Sequence, residues 1–225
     1  MSSPPIISVR DLQKVYHVGD VDVHALRGVD LDVPAGEFLA IVGHSGSGKS
    51  TLFNVIGGLT PPTSGTVYIR GKDIGQMSDN ERTRLRRTSI GFVFQKYNLL
   101  PTLTARDNIN IARYIAGDHG NRDPKFEEAL NLLGIAQRLH HKPRAMSGGE
   151  QQRVAIARAI VNNPAILLAD EPTGNLDSEN STIVLGLLRD LNERLGQTIL
   201  MITHNPEAAA YAHRTTHMKD GRILD

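Results

Sequence analysis

The chain has 225 residues, of which 40% are hydrophobic, and a formal net charge of +1. This length suits one α/β domain or one domain with a subdomain, and the composition is too apolar for a disordered chain. The balanced charge gives no reason to expect a nucleic-acid partner. Because the chain has no cysteine, disulfide bonds and cysteine-based zinc sites are excluded, and the composition suits a reducing cytosol.

No signal peptide is recognisable at the N-terminus, since residues 1–8 lack a basic segment followed by an apolar one. No apolar run approaches the roughly 20 residues that a membrane-spanning helix needs. We therefore expect any membrane role to depend on a partner, with no direct insertion of this chain.

Short β-like runs punctuated by glycine fill the N-terminal third, and continuous apolar strands separated by helical patterns follow. The predicted strands are Ile6–Val9, Val29–Val33, Phe38–Val42, Thr66–Ile69, Ile90–Phe94, Ile166–Ala169 and Ile199–Ile202. The predicted helices are Lys49–Gly57, Pro124–Leu133, Glu150–Val161 and Thr182–Leu195. This alternation predicts a doubly wound α/β sheet.

The stretch from about residue 96 to 162 has an almost purely helical pattern between two predicted strands. It is too long for a plain crossover, so we interpret it as a helical subdomain inserted into the sheet domain. We therefore predict one domain over residues 1–225, with residues 1–95 and 163–225 forming the core.

Four of the predicted strands end at residues suited to phosphate chemistry. A glycine-rich loop follows Phe38–Val42, and the other three strands end next to Gln95, to Asp170 with Glu171, and to His204. In open α/β sheets, ligands bind outside the carboxyl ends of the strands. If these strands are parallel neighbours, the four features converge on one site.

The glycine-rich loop reads Gly-His-Ser-Gly-Ser-Gly-Lys-Ser and matches the phosphate-binding pattern G-x-x-x-x-G-K-[ST]. Its glycines allow backbone N–H groups to approach phosphates, and the positive end of the following helix adds to the attraction. Lys49 is expected to contact the β- and γ-phosphates and the Ser50 hydroxyl to bind Mg²⁺. The other residues assigned to this loop are Gly43, Ser45, Gly46, Ser47, Gly48 and Thr51.

The polar residues after the other strands fit the remaining steps of phosphate hydrolysis. Asp170 is placed to hold Mg²⁺, usually through water, and Glu171 to act as general base. The Gln95 amide can reach the metal or the attacking water, and His204 can bind a γ-phosphate. Any one of these residues alone would more often be a helix cap or a packing residue. The prediction of a catalytic site therefore depends on their common position at the ends of predicted strands. Tyr16 could stack on adenine, but the sequence does not fix its position.

A second candidate anion site lies about one hundred residues after the first. Ser147-x-x-Glu150 is a capping box, so Ser147, Gly148 and Gly149 present N–H groups at the start of a helix. An inserted subdomain would hold this corner away from the chain's own phosphate loop, where it could serve a neighbouring chain's nucleotide. The alternative is a plain helix cap with a glycine turn.

These motifs together resemble those of the ATP-binding subunits of ABC transporters, over essentially the whole chain. The matching elements are a Walker A motif (Gly43–Thr51), a Q-loop glutamine (Gln95), a signature motif (Ser147–Gln151), a Walker B motif with its glutamate (Ile166–Glu171), a D-loop (Asn175–Asp177), a switch histidine (His204) and an adenine-stacking residue (Tyr16). The segments Gly91–Pro101, Ser147–Ala159 and Ala169–Asp177 are most similar to the lipoprotein-release and macrolide-export (LolD/MacB-like) group. Met146 stands where leucine is usual and His44 where proline is frequent, and neither departure affects the expected hydrolysis of ATP.

The resemblance implies a P-loop ATPase fold of the ABC type, with a mostly parallel core, an N-terminal antiparallel β-subdomain and an inserted helical subdomain. It also implies an ATP-bound head-to-tail homodimer, in which Ser147, Gly148 and Gly149 of one chain complete the Mg·ATP site of the other. Glu150 and Asp177 are the further residues expected to bind nucleotide. The expected partner is an integral membrane permease, which would place the chain in the cytoplasm, peripheral to the inner membrane. The apolar loop from Lys96 to Thr104 is a candidate for contact with that permease.

Three other functions were considered. A cell-division ATPase paired with a non-transporting membrane protein stays open as an alternative. A soluble ABC ATPase acting on DNA or translation usually carries a coiled coil or a second cassette, for which the chain has no room. A GTP-binding switch would have no use for the motif at Ser147–Glu150. The transported substrate is not encoded in these motifs.

Overall fold

The computed structural model describes residues 4–117 and 124–224. Within them the chain forms two β-sheets with helices packed against and between the sheets. The strands are β1 (Ile7–Val18), β2 (Val21–Val33), β3 (Phe38–Val42), β4 (Ser64–Ile69), β5 (Lys72–Asp73), β6 (Ile90–Phe94), β7 (Ile166–Asp170), β8 (Thr198–Thr203), β9 (Arg214–Lys219) and β10 (Arg222–Leu224). The α-helices are α1 (Lys49–Ile56), α2 (Asp79–Ser89), α3 (Ala105–Ala116), α4 (Pro124–Leu133), α5 (Gly148–Ile160), α6 (Ser178–Leu195) and α7 (Pro206–Ala209), and short 3-10 turns cover Ala136–Arg138 and Pro143–Ala145.

The larger sheet has the strand order β10-β9-β3-β8-β7-β6, and only β9 and β10 pair antiparallel in it. Strands β3 and β8 are buried along their whole length, as expected for strands covered on both faces. Because parallel strands end at the same edge, the loops after β3, β6, β7 and β8 lie along one edge of the sheet. The predicted α/β fold with a mostly parallel core is confirmed.

The smaller sheet is antiparallel, with the order β2-β1-β4-β5. Helix α1 lies between it and the larger sheet, and one hydrophobic core joins all three elements. Phe53 of α1 is fully packed there, with its ring 6.0 Å from the rings of both Phe92 and Phe94. The phosphate-loop helix is therefore fixed by apolar contacts on both sides. The predicted N-terminal antiparallel sheet is also confirmed.

A second hydrophobic core covers the opposite face of the larger sheet and is centred on α5. This helix packs against α3, α4, α6 and β6. Its apolar stripe is buried at Val154, Ala157 and Ile160. The described residues between β6 and β7 form helices and turns, which agrees with the helical pattern in the sequence. The division into a core and an inserted subdomain stays a prediction.

Several elements differ from the sequence prediction in extent. The runs Ile6–Val9 and Val29–Val33 are parts of a much longer hairpin formed by β1 and β2, whose outer half is largely exposed. Helix α5 begins directly after Ser147, as its capping box predicts, whereas α6 begins earlier than predicted, after its capping residue Asp177. In residues 4–117 and 124–224, no helix combines the length and the apolarity that crossing a membrane requires.

Candidate active site

The carboxyl ends of β3, β6, β7 and β8 do meet in one pocket, as their order in the sheet requires. The pocket has a volume of about 320 Å³. It is lined by Ser45, Gly46, Lys49, Ser50, Gln95, Asp170, Glu171 and His204. All four strand-end features that the sequence singled out are thus brought together by the fold.

The loop between β3 and α1 is held tightly against its surroundings. A Cβ on Gly48, whose φ is +106°, would lie 2.6 Å from the carbonyl oxygen of Ala25. A Cβ on Gly43 would collide with the carbonyl oxygen of Met218. The Ser47 carbonyl accepts a hydrogen bond of 2.9 Å from the N–H of Gly221. Only glycine fits at positions 43 and 48, so the backbone itself forms the loop surface.

Lys49 is the first residue of α1, and its side chain is largely buried. Its ammonium donates hydrogen bonds to the carbonyl oxygens of Gly43 at 2.6 Å and His44 at 2.9 Å. Burial lowers the pKa of Lys49, while the charges of Glu171 and Asp170 act in the opposite direction. A partly desolvated cation at a helix N-terminus attracts an anion strongly, because little water competes for its charge.

Asp170, the last residue of β7, presents a carboxylate to the same pocket. Burial raises its pKa, the neighbouring charge of Glu171 raises it further, and Lys49 lowers it. A desolvated carboxylate beside a second one and a serine hydroxyl offers the oxygen ligands that Mg²⁺ prefers, and a divalent cation would offset their repulsion. The residues present at Asp170 and Ser50 therefore fit the predicted Mg²⁺. Gln95 lines the same pocket.

Glu171 is fixed at both carboxylate oxygens. Thr203 donates its hydroxyl to one oxygen at 3.0 Å, and Nδ1 of His204 lies 2.7 Å from the other. The Glu171 backbone has a φ of +46°, and its N–H donates to the carbonyl of Ile202 at 2.9 Å. Such a backbone conformation is uncommon outside glycine and is found where a side chain must be aimed. Sequence reasoning missed Thr203, although its position directly before His204 at the end of β8 was a usable signal.

Gln95 is tied to the loop after β7 through Asn175. The Gln95 amide donates to Asn175 Oδ1 at 3.2 Å, and the Asn175 amide donates to the Gln95 carbonyl at 3.0 Å. A Cβ on Gly174 would lie 2.6 Å from the Gln95 amide nitrogen. The glutamine loop and the loop containing Asn175 therefore pack as one unit. Asn175 was part of a recognised motif, but no contact with Gln95 was expected.

The second anion corner forms as the capping box predicts. Ser147 Oγ accepts from the Glu150 N–H at 3.2 Å, and the Glu150 carboxylate accepts from the Ser147 N–H at 2.8 Å. Arg138 also donates to Glu150 at 2.6 Å. The pKa of Glu150 is lowered, mainly by the hydrogen bond from the Ser147 N–H and further by the hydrogen bond from Arg138. Among the described residues that line the strand-end pocket, none comes from Ser147–Glu150.

Two further predicted residues lie outside that pocket. Asp177 caps helix α6, accepting from the Asn180 N–H at 2.8 Å, and this bond lowers the Asp177 pKa. Tyr16 lies on β1 opposite Val23, is 36% exposed, and carries the Lys14 ammonium 5.1 Å from its ring centroid. The roles of both residues in binding nucleotide stay predictions.

Comparisons with known proteins identify the family of this chain. Residues 26–174 match the family model described as ABC transporter. An uncharacterized ABC transporter ATP-binding protein of Thermotoga maritima is 46% identical over 97% of this chain and 93% of its own length. The macrolide export ATP-binding/permease protein MacB of Hyphomonas neptunium is 47% identical over 99% of this chain. This chain spans 34% of that MacB protein.

The same agreement holds for solved structures. The chain matches a dimeric structure of the ATP-binding cassette MJ0796 in a post-hydrolysis state bound to ADP and Pi, with a TM-score of 0.86 and 40% identity over 97% of both chains. A second dimeric structure of MJ0796, described as a bacterial ABC transporter cassette, matches with the same TM-score and 41% identity. The motifs, the fold and these relatives agree, and the chain therefore belongs to the ABC transporter family, as an ATP-binding cassette.

Proposed function

We propose that this chain binds Mg·ATP in the strand-end pocket and hydrolyses it to ADP and phosphate. The observation that carries the proposal is the meeting of Lys49, Asp170 and Glu171 in one pocket behind the phosphate loop. Lys49 and the loop N–H groups bind the phosphates, and Asp170 with Ser50 holds the metal. When bound, Mg²⁺ neutralises the negative charge that develops on the phosphates.

Glu171 is the residue we assign as general base. The bonds from Thr203 and His204 hold its carboxylate in one orientation, so that it can accept a proton from the attacking water. Gln95 lines the same pocket and can orient that water or the metal through its amide. His204, whose side chain is exposed, is free to contact the γ-phosphate on the side away from Glu171.

We further propose that two copies act together in the ATP-bound state. The corner at Ser147–Glu150 has the N–H groups of an anion site, yet it lies outside the chain's own pocket. A head-to-tail homodimer brings this corner to the other chain's ATP. The dimeric structures of MJ0796, a similar cassette, support the pairing of two copies.

The test uses Glu171→Gln, which keeps the shape of the side chain but cannot accept the proton. We expect hydrolysis to fall by about 10²–10⁴-fold, the usual contribution of a general base. ATP binding is expected to persist, with dimers accumulating in analytical ultracentrifugation. Glu193→Gln on the exposed face of α6 is the control and should keep full activity. A Glu171→Gln protein that stays monomeric and hydrolyses ATP normally would contradict the proposal.

We propose that the hydrolysis drives export, or extraction from the membrane, of a lipoprotein, macrolide, peptide or lipid substrate through a permease supplied outside this sequence. The MacB relatives are named as ATP-binding/permease proteins, and this chain matches about a third of their length. Their names favour export over the cell-division alternative. The chain would then lie on the cytoplasmic face of the membrane, held there by the permease.

An apolar groove of about 440 Å³ between α2, α3 and α5 is the surface we assign to the permease. Its lining includes the exposed side chains of Leu59 and Ile115 and the partly buried Phe92. A short amphipathic helix on the cytoplasmic side of the permease fits such a groove. Of the loop residues suggested by the sequence, Leu100 is 42% exposed, whereas Leu99 packs on the core.

The docking surface is tested by co-expressing the chain with its permease and measuring how much chain sediments with membrane vesicles. We expect Ile115→Glu to release the chain while leaving its ATP binding intact. Val18→Glu, at an exposed valine on the β1–β2 hairpin, is the matched control and should stay bound. Equal sedimentation of the two variants would contradict the assignment.

A further inference from the structure

The two glycines of the second anion corner are both covered by side chains of the same protein. A Cβ on Gly148 would lie 2.7 Å from the hydroxyl oxygen of Tyr97 and 3.3 Å from Leu176 Cδ2. A Cβ on Gly149 would collide with the Asn180 side-chain oxygen. These glycines therefore do more than expose N–H groups. They also let the segment of Tyr97 and the segment of Leu176 and Asn180 pack closely against the start of α5.

Tyr97 is the side chain that connects these segments. It follows Gln95 by two residues, and its hydroxyl donates to the carbonyl oxygen of Asn175 at 3.3 Å. Burial raises the pKa of Tyr97, so the hydroxyl stays protonated and able to donate at neutral pH. One phenol thus contacts the loop of Asn175 and lies against Gly148, while its backbone belongs to the Gln95 loop.

The backbone of Tyr97 is anchored to the far part of the same helix. Arg158 of α5 donates to the carbonyl of Tyr97 at 2.9 Å and to the carbonyl of Asn98 at 2.6 Å. Tyr97 therefore contacts α5 at two places, through the Arg158 hydrogen bond at its backbone and through the packing of its hydroxyl beside Gly148. A displacement of the Gln95 loop would change this packing at the start of α5.

We propose that Tyr97 is a positioning residue that ties the anion corner at Gly148 to the Gln95 loop of its own chain. This inference rests on the proposed function, in which Gln95 lines the ATP pocket of its own chain and Gly148 contacts the ATP bound to the partner chain. Tyr97 then sets the position of the corner according to the occupancy of its own chain's pocket, and so couples the two ATP sites of the dimer.

The first test removes one oxygen atom, with Tyr97→Phe in the Glu171→Gln background. Binding of ATP to the monomer should be unchanged, because Tyr97 is not part of the strand-end pocket. The dissociation constant of the ATP-bound dimer should rise about fivefold or more, since a hydrogen bond is lost in each subunit. In the chain with Glu171 intact, the Hill coefficient for ATP hydrolysis should fall towards 1.

Tyr68→Phe is the matched control, since Tyr68 lies on β4 of the antiparallel sheet and is equally a partly exposed tyrosine. It should leave both the dimer constant and the Hill coefficient unchanged. If Tyr97→Phe behaves like Tyr68→Phe, the inference is wrong while the proposed function stands. If the Glu171→Gln parent itself fails to dimerise with ATP, the proposed function fails and this inference fails with it.

A second test uses the predicted steric contact. Gly148→Ala alone should weaken the dimer, because the added methyl group meets the Tyr97 hydroxyl. In the Tyr97→Phe background that oxygen is gone, and the nearest ring carbon lies at 3.7 Å, an ordinary contact distance. We therefore expect the double variant to dimerise more tightly than the sum of the two single effects predicts. Strictly additive effects would overturn the inference.

Discussion

Gln152 offers a test of how helix α5 supports the loops that carry Gln95 and Glu171. It is fully buried in α5, and its amide donates to the carbonyl oxygens of Pro172 at 2.6 Å and Phe94 at 3.3 Å. Phe94 ends β6 and Pro172 follows Glu171, so one side chain joins the strand ends that carry Gln95 and Glu171. The perturbation we consider is Gln152→Leu, which keeps the approximate volume and removes the donor.

The expected cost follows from these contacts. The Pro172 carbonyl loses a short bond inside the protein, and a buried polar group left without its partner costs about 1–3 kcal/mol. The longer bond to Phe94 contributes less. Against this, the substitution removes Gln152 Oε1, which is buried and has no hydrogen-bond partner among the described residues. We therefore expect the free energy of unfolding to fall by about 1–3 kcal/mol.

Urea unfolding monitored by circular dichroism measures this loss. Gln151→Leu is the matched control, because Gln151 is the neighbouring glutamine on α5, is only partly buried, and donates at 3.1 Å to the Met146 carbonyl. It should lose less than about 1 kcal/mol, since water can replace its bond. Gln152→Glu should cost more at pH 7 than at pH 5, because the buried carboxylate can donate only when protonated. Equal losses for Gln152→Leu and Gln151→Leu would refute the reasoning.

Three further predictions concern the pocket and the second corner. Ser147→Ala and Ser78→Ala each remove a capping box, so both should lose about 1 kcal/mol in urea unfolding, but only Ser147→Ala should weaken the ATP-bound dimer. Asp170→Asn removes a carboxyl group whose pKa is raised in the folded chain. In the native chain this group's contribution to the free energy of unfolding is lost as pH rises from 3.8, its unfolded pKa, through its folded pKa. The melting temperature of the variant, relative to that of the native chain, should therefore increase over this pH interval. Lys49→Ala should abolish the rise in melting temperature that ATP produces in the native chain, and an unchanged rise would contradict the assigned role.

The core of the site could be predicted because its signals are local. Asp170, Glu171 and His204 lie at the ends of strands that are continuously apolar in the sequence, and Lys49 follows the loop after such a strand. The order of parallel strands brings these ends together. The contacts that orient these residues could not be predicted in the same way. Asn175 reaches Gln95 across 80 residues, and that pairing depends on the packing of two loops.

Other elements were missed for identifiable reasons. In the outer half of the β1–β2 hairpin, the exposed valines Val21 and Val23 flank Asp22, a period of two that was a usable strand signal. Strand β9 buries Thr216 and Met218 in alternation, a period of two that its polar composition obscures. Helix α2 had a usable signal, since its Ser78-x-x-Glu81 box has the same pattern as the box at Ser147.

The helix starts themselves predict that the two proposed anion corners act in sequence. Helices α2, α3, α5 and α6 each begin with a capping side chain, whereas α1 begins at Gly48 with no side-chain cap and no acidic residue in its first turn. Its free N–H groups and Lys49 make it the stronger anion site. The corner on α5 already carries the Glu150 carboxylate, which accepts the Ser147 N–H and pairs with Arg138. A triphosphate should therefore bind α1 first, and the corner at Ser147 should add affinity only once a second chain presents it, which is the order that an ATP-driven dimer requires.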